Sequence, residues 1–103
     1  MSGVSNPYRY QYETVAASQT AQVLGGTGAV GDYVHLLIIS VVSVATAGVT
    51  LIDGSTSIVL LTGAATNVPG VYSIEINAAS ASGAWKITTG AGATVVAVGI
   101  FSA

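Results

Sequence analysis

The run from Tyr33 to Ile52, YVHLLIISVVSVATAGVTLI, is 20 residues long and carries no formal charge. Such a run has two main fates. It can cross a bilayer as a single helix of about 20 residues, or it can break into buried strands. The residue types decide against the helix. Val, Ile, Ser and Thr dominate, and branched side chains fit a pleated surface better than a helical one. The flanking residues are Asp32 and Asp53, with no Lys or Arg to orient a span. The segment ATAGVT reads as a turn between two strands. Strands are therefore expected here, and no membrane. No charged n-region precedes an apolar run near the N-terminus, so no signal peptide is expected.

The rest of the chain follows the same pattern. TAQVL (20–24) reads as a short strand, followed by the glycine-rich loop GGTGAVG (25–31). The longest strand is expected over 32–44. Strict alternation puts Tyr33, His35, Leu37, Ile39 and Val41 on one face and Val34, Leu36, Ile38, Ser40 and Val42 on the other. Both faces are apolar, so this strand should be central or covered on both sides. GVTLIDGSTSIVLL (48–61) reads as a hairpin turning at Asp53-Gly54. VYSIEIN (71–77) should turn Tyr72, Ile74 and Ile76 inward, and AWKIT (84–88) should bury Trp85 and Ile87 and expose Lys86. TVVAVGIFSA (94–103) closes the chain. Thr-Gly-Ala recurs at 27, 62 and 89, but at unequal intervals, so no repeat is assigned. The fold class expected is all-β. It is a single-domain sandwich or jelly-roll-like barrel of seven or eight strands over 18–103, preceded by an extended arm over 1–17.

Charge narrows the function. Only 6% of the 103 residues are charged, against about 25% in an ordinary soluble domain. Eleven serines and eleven threonines supply much of the polar surface instead. So weakly charged a surface is poorly protected against association, which suits a protein that works inside an assembly. Two cations cannot neutralise a phosphate backbone, so no nucleic-acid partner is expected. With no cysteine there is no disulfide, thiolate metal site or cysteine nucleophile.

Each candidate for chemistry has a structural explanation. Gly26-Thr27-Gly28-Ala29-Val30-Gly31 fits the dinucleotide pattern G-x-G-x-x-G. That motif needs a helix after it to meet the pyrophosphate, and a strand former follows instead. A flexible loop between strands is the expectation. His35 is the sole histidine, and one His with four carboxylates seldom assembles a metal site. A triad would need a serine and an acid beside it in space; a histidine satisfied at a strand or subunit interface is the simpler reading. Asp53 belongs to its turn, Glu75 to the outward phase of its strand and Asp32 to the end of a loop. No catalytic residue, cofactor or metal is assigned.

NPYRYQYE (6–13) is harder to explain as ordinary structure. In an extended arm Tyr8, Tyr10 and Tyr12 point one way, and Arg9, Gln11 and Glu13 the other. Tyr and Arg are enriched in interface cores because they offer large contact area at low entropic cost. Tyr8, Arg9, Tyr10 and Tyr12 are accordingly the candidate contact residues, for a partner or a sister subunit. An edge strand packed on its own sheet is the alternative.

The text NPYRYQYETVAASQTAQVLGGTGAVGDYVHLLI, with GVTLIDGSTSIVLL and GVYSIEINAASASGAWKITTGAGATVVAVGIFS, resembles small head decoration, or capsid cement, proteins of tailed bacteriophages. The resemblance runs over nearly the whole chain and contains no catalytic signature. It implies a β-rich, non-enzymatic protein made in the bacterial cytoplasm and located on the virion. It further implies binding to the major capsid protein on the outside of the shell, as a trimer or, second, a dimer, clamping capsomers together. A tail or fibre module that contacts the host surface is the alternative with the same composition.

Overall fold

The computed structural model describes residues 10–64 and 68–103 of the chain. It is all-β, with eight strands in two four-stranded antiparallel sheets packed face to face. The strands are β1 (Gln11–Val15), β2 (Gln22–Val23), β3 (Tyr33–Val41), β4 (Val49–Asp53), β5 (Thr56–Leu61), β6 (Gly70–Ala79), β7 (Trp85–Thr89) and β8 (Ala93–Ile100). One sheet has the order β1-β8-β3-β6 and the other β2-β7-β4-β5. The order has a simple origin. Antiparallel pairing joins β4 to β5, β3 to β6, β2 to β7 and β1 to β8, as in one long ribbon folded at the β4–β5 hairpin. Wrapping that ribbon around a core adds the pairs β3–β8 and β4–β7, and a jelly roll results.

The uncharged run from Tyr33 is thus β3, a single 3₁₀ turn at Val44–Thr46 and β4. Among the described residues no helix is long and apolar enough to cross a membrane. The core lies between the sheets. Val15, Val34, Leu37, Ile39, Val95 and Ala97 come from the first sheet, and Val49, Leu51, Trp85 and Ile87 from the second. Each fully buried aliphatic side chain contributes about 1.5–3 kcal/mol relative to exposure. Trp85 and Ile87 point inward as their alternation requires. So do the half-buried Tyr72, Ile74 and Ile76, which pack against the edge of the core.

The N-terminal stretch enters the sheet earlier than an arm over 1–17 implies. From Gln11 onward it is β1, paired along β8, and Val15 is fully buried. Glu13 is drawn inward as well. Its carboxylate accepts from Gln22 Nε2 at 2.9 Å and from the Gly25 N–H at 2.7 Å, and this ties β1 to the strand and loop opposite.

The phase of β3 differs from strict alternation. Val34 lies opposite Gly99 of β8, yet Leu36 lies opposite Val98, so His35 is an extra residue on β3. Val34, Leu37, Ile39 and Val41 are buried, while Tyr33, His35, Leu36, Ile38 and Ser40 are only half-buried. The inward set therefore changes from even to odd numbers at His35, as an inserted residue demands. Gly99 permits the close approach there: a Cβ on it would sit 2.0 Å from the Tyr33 carbonyl oxygen.

The G-x-G-x-x-G segment is a tied loop. The N–H groups of Thr27 and Gly28 donate to the Ser102 carbonyl, and that of Gly31 to Ser80. Strand β3 follows directly, with no helix. Asp32, almost completely buried, ends the loop. Its carboxylate accepts from the Ala29 N–H (3.1 Å), the Ser102 N–H (2.9 Å) and the Ser102 hydroxyl (2.7 Å). Its carbonyl accepts from the Trp85 indole N–H at 2.7 Å.

Asp53 does more than precede a turn. The turn residues are Gly54, at φ 60°, and Ser55. The Asp53 carboxylate clasps the following crossover, accepting from the N–H groups of Ala81 and Ser82, each at 3.0 Å. Those bonds, Ala81 first and Ser82 second, lower its pKa below the ordinary 3.8. A lowered folded-state pKa adds stability that is complete above 3.8 and is lost as pH falls through the folded value. The difference in Tm between wild type and Asp53→Asn should therefore shrink as pH is taken from neutral to well below 3.8. A pH-independent difference would remove this role from the carboxylate.

Candidate interaction surface

The outer face of the β1-β8-β3-β6 sheet gathers the residues that alternation and the β3 bulge turn away from the core. Three cross-strand rows can be followed through the register. Ile100 sits beside Tyr33, with Tyr10 leading into β1 next to them. Tyr12, Val98, Leu36 and Glu75 form the next row, and Thr14, Val96, Ile38 and Ser73 the third. Val71 extends the face along β6. Tyr12 is 73% exposed, Val71 67%, Tyr10 45% and Ile100 39%. Leu36, Ile38, Val96 and Val98 are half-buried between them. A contiguous apolar face of this kind marks an interaction site more often than a free surface.

An aromatic and polar cluster lies at one end of this face. The Tyr10 ring stacks on His35 with centroids 4.6 Å apart and planes 12° apart. Tyr33 stacks more loosely, 6.1 Å from Tyr10 and 6.5 Å from His35. Asn77 connects the polar atoms. Its Nδ2 donates to Glu75 Oε1 at 3.1 Å, which fixes the amide orientation. Its Oδ1 then accepts from the Tyr33 hydroxyl (3.1 Å) and faces His35 Nδ1 at 2.8 Å. Oδ1 can only accept, so the contact is a hydrogen bond in the tautomer that places a proton on Nδ1. Partial burial, and then the neighbouring Tyr10, raises the Tyr33 pKa above 10.0, so its hydroxyl remains a donor at neutral pH.

Backbone irregularity builds this cluster. The extra residue on β3 turns His35 toward Tyr10. A second register shift leaves two residues of β6, Ile76 and Asn77, opposite His35 alone. Asn77 absorbs it at φ 51°, a left-handed conformation that Asn tolerates better than most residues.

Of the four contact residues expected from sequence, Tyr10 and Tyr12 lie on this outer face, and Tyr8 and Arg9 fall outside the described residues. Leu36, Ile38, Val96 and Val98 were not distinguishable as surface from sequence; the apolar text on both faces of β3 and β8 was the only signal. Among the described residues no three of His, Cys, Asp or Glu converge as a metal site would require. His35 is held by Asn77 and Tyr10. Asp32 and Asp53 are occupied by backbone N–H groups, and Glu13 accepts from Gly25 and Gln22.

No protein-family model matches the chain, and no curated protein and no solved structure is significantly similar to it.

Asn77→Ala should cost about 1–2 kcal/mol of stability in chemical denaturation. It removes an acceptor shared by two donors and leaves a Cβ at positive φ. Asn77→Gly keeps the backbone relaxed and should cost less. Equal losses would mean that the left-handed geometry imposes no strain.

Proposed function

We propose that the protein is a non-enzymatic structural component of a tailed-phage virion, which binds the outside of the capsid and stabilises it by bridging neighbouring capsomers. One observation carries this reading: the apolar outer face of the β1-β8-β3-β6 sheet, bearing Tyr10, Tyr12, Val71 and Ile100, has no covering layer among the described residues. Such a face gains free energy when a partner removes it from water, at about 25 cal/mol per Å² of apolar area. Tyrosines at one end supply contact area at low entropic cost, and Glu75, Asn77 and His35 supply polar groups at its rim.

The partner proposed, the major capsid protein, is the one that the resemblance to decoration proteins implies. The jelly-roll topology is compatible with it as fold-level analogy, since viral capsid domains are among the many users of that fold. A lattice suits this chemistry. Repeated copies on a regular shell multiply modest single contacts, so neither high charge nor a deep pocket is required.

Quantitative mass spectrometry of purified virions tests the reading. It should count this chain at a simple ratio to the major capsid protein, such as one, one half or one third. A few copies per particle would point to a tail or fibre module, and absence from virions would overturn a virion role.

A further inference from the structure

A jelly roll of two open sheets has four edge strands, here β1 and β6 in one sheet and β2 and β5 in the other. Exposed edges carry unpaired N–H and C=O groups, and soluble proteins blunt them with short strands, bulges, Pro or charge. Three of these edges are blunted. β2 has 2 residues and β1 has 5. β5 has 6 and is interrupted by a register shift at Leu60. β1 and β2 are also joined by the Glu13–Gln22 hydrogen bond.

β6 is different. It is the longest strand, with 10 residues, and its irregularity is confined to Ile76–Asn77 near its end. Its only charged residue is Glu75. Among the described residues no strand lies along its outer edge. Its inward side chains Tyr72, Ile74 and Ile76 remain half-exposed although they touch the core, and Ile58 of β5 is 40% exposed across the same opening.

We infer that β6 is a self-pairing edge: two copies of the chain join β6 to β6 antiparallel about a two-fold axis at Ile74, and the two four-stranded sheets become one continuous sheet. Charge and pattern favour this register over the two beside it, centred on Ser73 and Glu75. Side chains on one face must meet side chains on the same face, so only registers centred on a residue are allowed. Centred on Glu75, the pairing would set two carboxylates directly opposite, which is destabilising. Centred on Ser73, it would place Glu75 against the apolar Val71. Centred on Ile74, it pairs Glu75 with the Ser73 hydroxyl of the other copy, twice by symmetry. Tyr72 then meets Ile76 across the axis and Ile74 meets its own copy, so the half-exposed inward residues cover one another. The two-fold contact is closed and isologous, which limits assembly to a dimer. This inference stands apart from the capsid reading, because it concerns the purified chain in solution.

The test uses the full-length protein in sedimentation velocity, with Ser73 as the lever because it is exposed and its substitution leaves the core intact. Wild type should sediment as a dimer. Ser73→Glu, which opposes Glu75 twice across the axis, should weaken dimerisation at least about tenfold in Kd. Ser73→Lys should preserve or tighten it. The absence of native cysteine allows a second readout. Oxidising a mixture of Ser73→Cys and Glu75→Cys proteins should give the mixed disulfide, while Ser73→Cys alone should cross-link poorly, because the two copies of residue 73 are diagonal in this register. A monomer at every concentration would overturn the inference. So would a dimer or trimer that forms no mixed disulfide, because its interface would lie elsewhere; Ser73 also belongs to the outer sheet face, so the cross-link, and not Ser73→Glu, separates the edge from that face.

Discussion

Asp32 ties its own loop and the start of β3 to two segments far away in the sequence. Its carboxylate receives the N–H groups of Ala29 and Ser102 and the Ser102 hydroxyl, its carbonyl receives the Trp85 indole, and its own position is the residue before β3. A nearly buried carboxylate is costly to desolvate, and three donors offset that cost. The result is a fixed starting point for β3. With Asp32 and Trp85 locked, the strand must enter the sheet with Tyr33 outward and Val34 inward. A chain with so few charged groups uses them as hydrogen-bond centres: Glu13 and Asp53 receive backbone N–H groups in the same way.

The bulge at His35 follows from that start. If β3 ran on without it, Leu36, Ile38 and Ser40 would face the core, while Leu37, Ile39 and Val41 would face out. One inserted residue reverses this, places the bulkier apolar set against Leu51 and Ile87 in the core, and leaves His35 on the outside beside Tyr10. The matching shift on β6 brings Asn77 to His35 and Tyr33. The aromatic cluster on the outer face is therefore a product of the same irregularity that fits the core.

These causes also explain how much was legible in the sequence. Alternation over 71–77 and 85–89 is local and regular, so the inward side chains Tyr72, Ile74, Trp85 and Ile87 could be read directly. The hairpin was marked by Asp53-Gly54. The bulge was not visible, because both phases of β3 are apolar and only the pairing with β8 and β6 chooses between them. The Asp32 network was hidden for a similar reason: its partners Trp85 and Ser102 are 53 and 70 residues away. Tyr10 and Tyr12 were singled out as contact residues by composition, yet their neighbours on the same face, Leu36 and Val98, looked like core.

The proposed capsid-binding role makes the outer face of the β1-β8-β3-β6 sheet a contact surface in the assembled particle. Hydroxyl-radical footprinting of Tyr10, Tyr12 and Tyr33 on the purified protein and on intact virions tests it most directly. Tyr12, the most exposed of the three, should lose most of its reactivity in the particle, with Tyr10 following. Unchanged modification of Tyr10 and Tyr12 in virions that contain the protein would show that this face stays in water, and would contradict the claim.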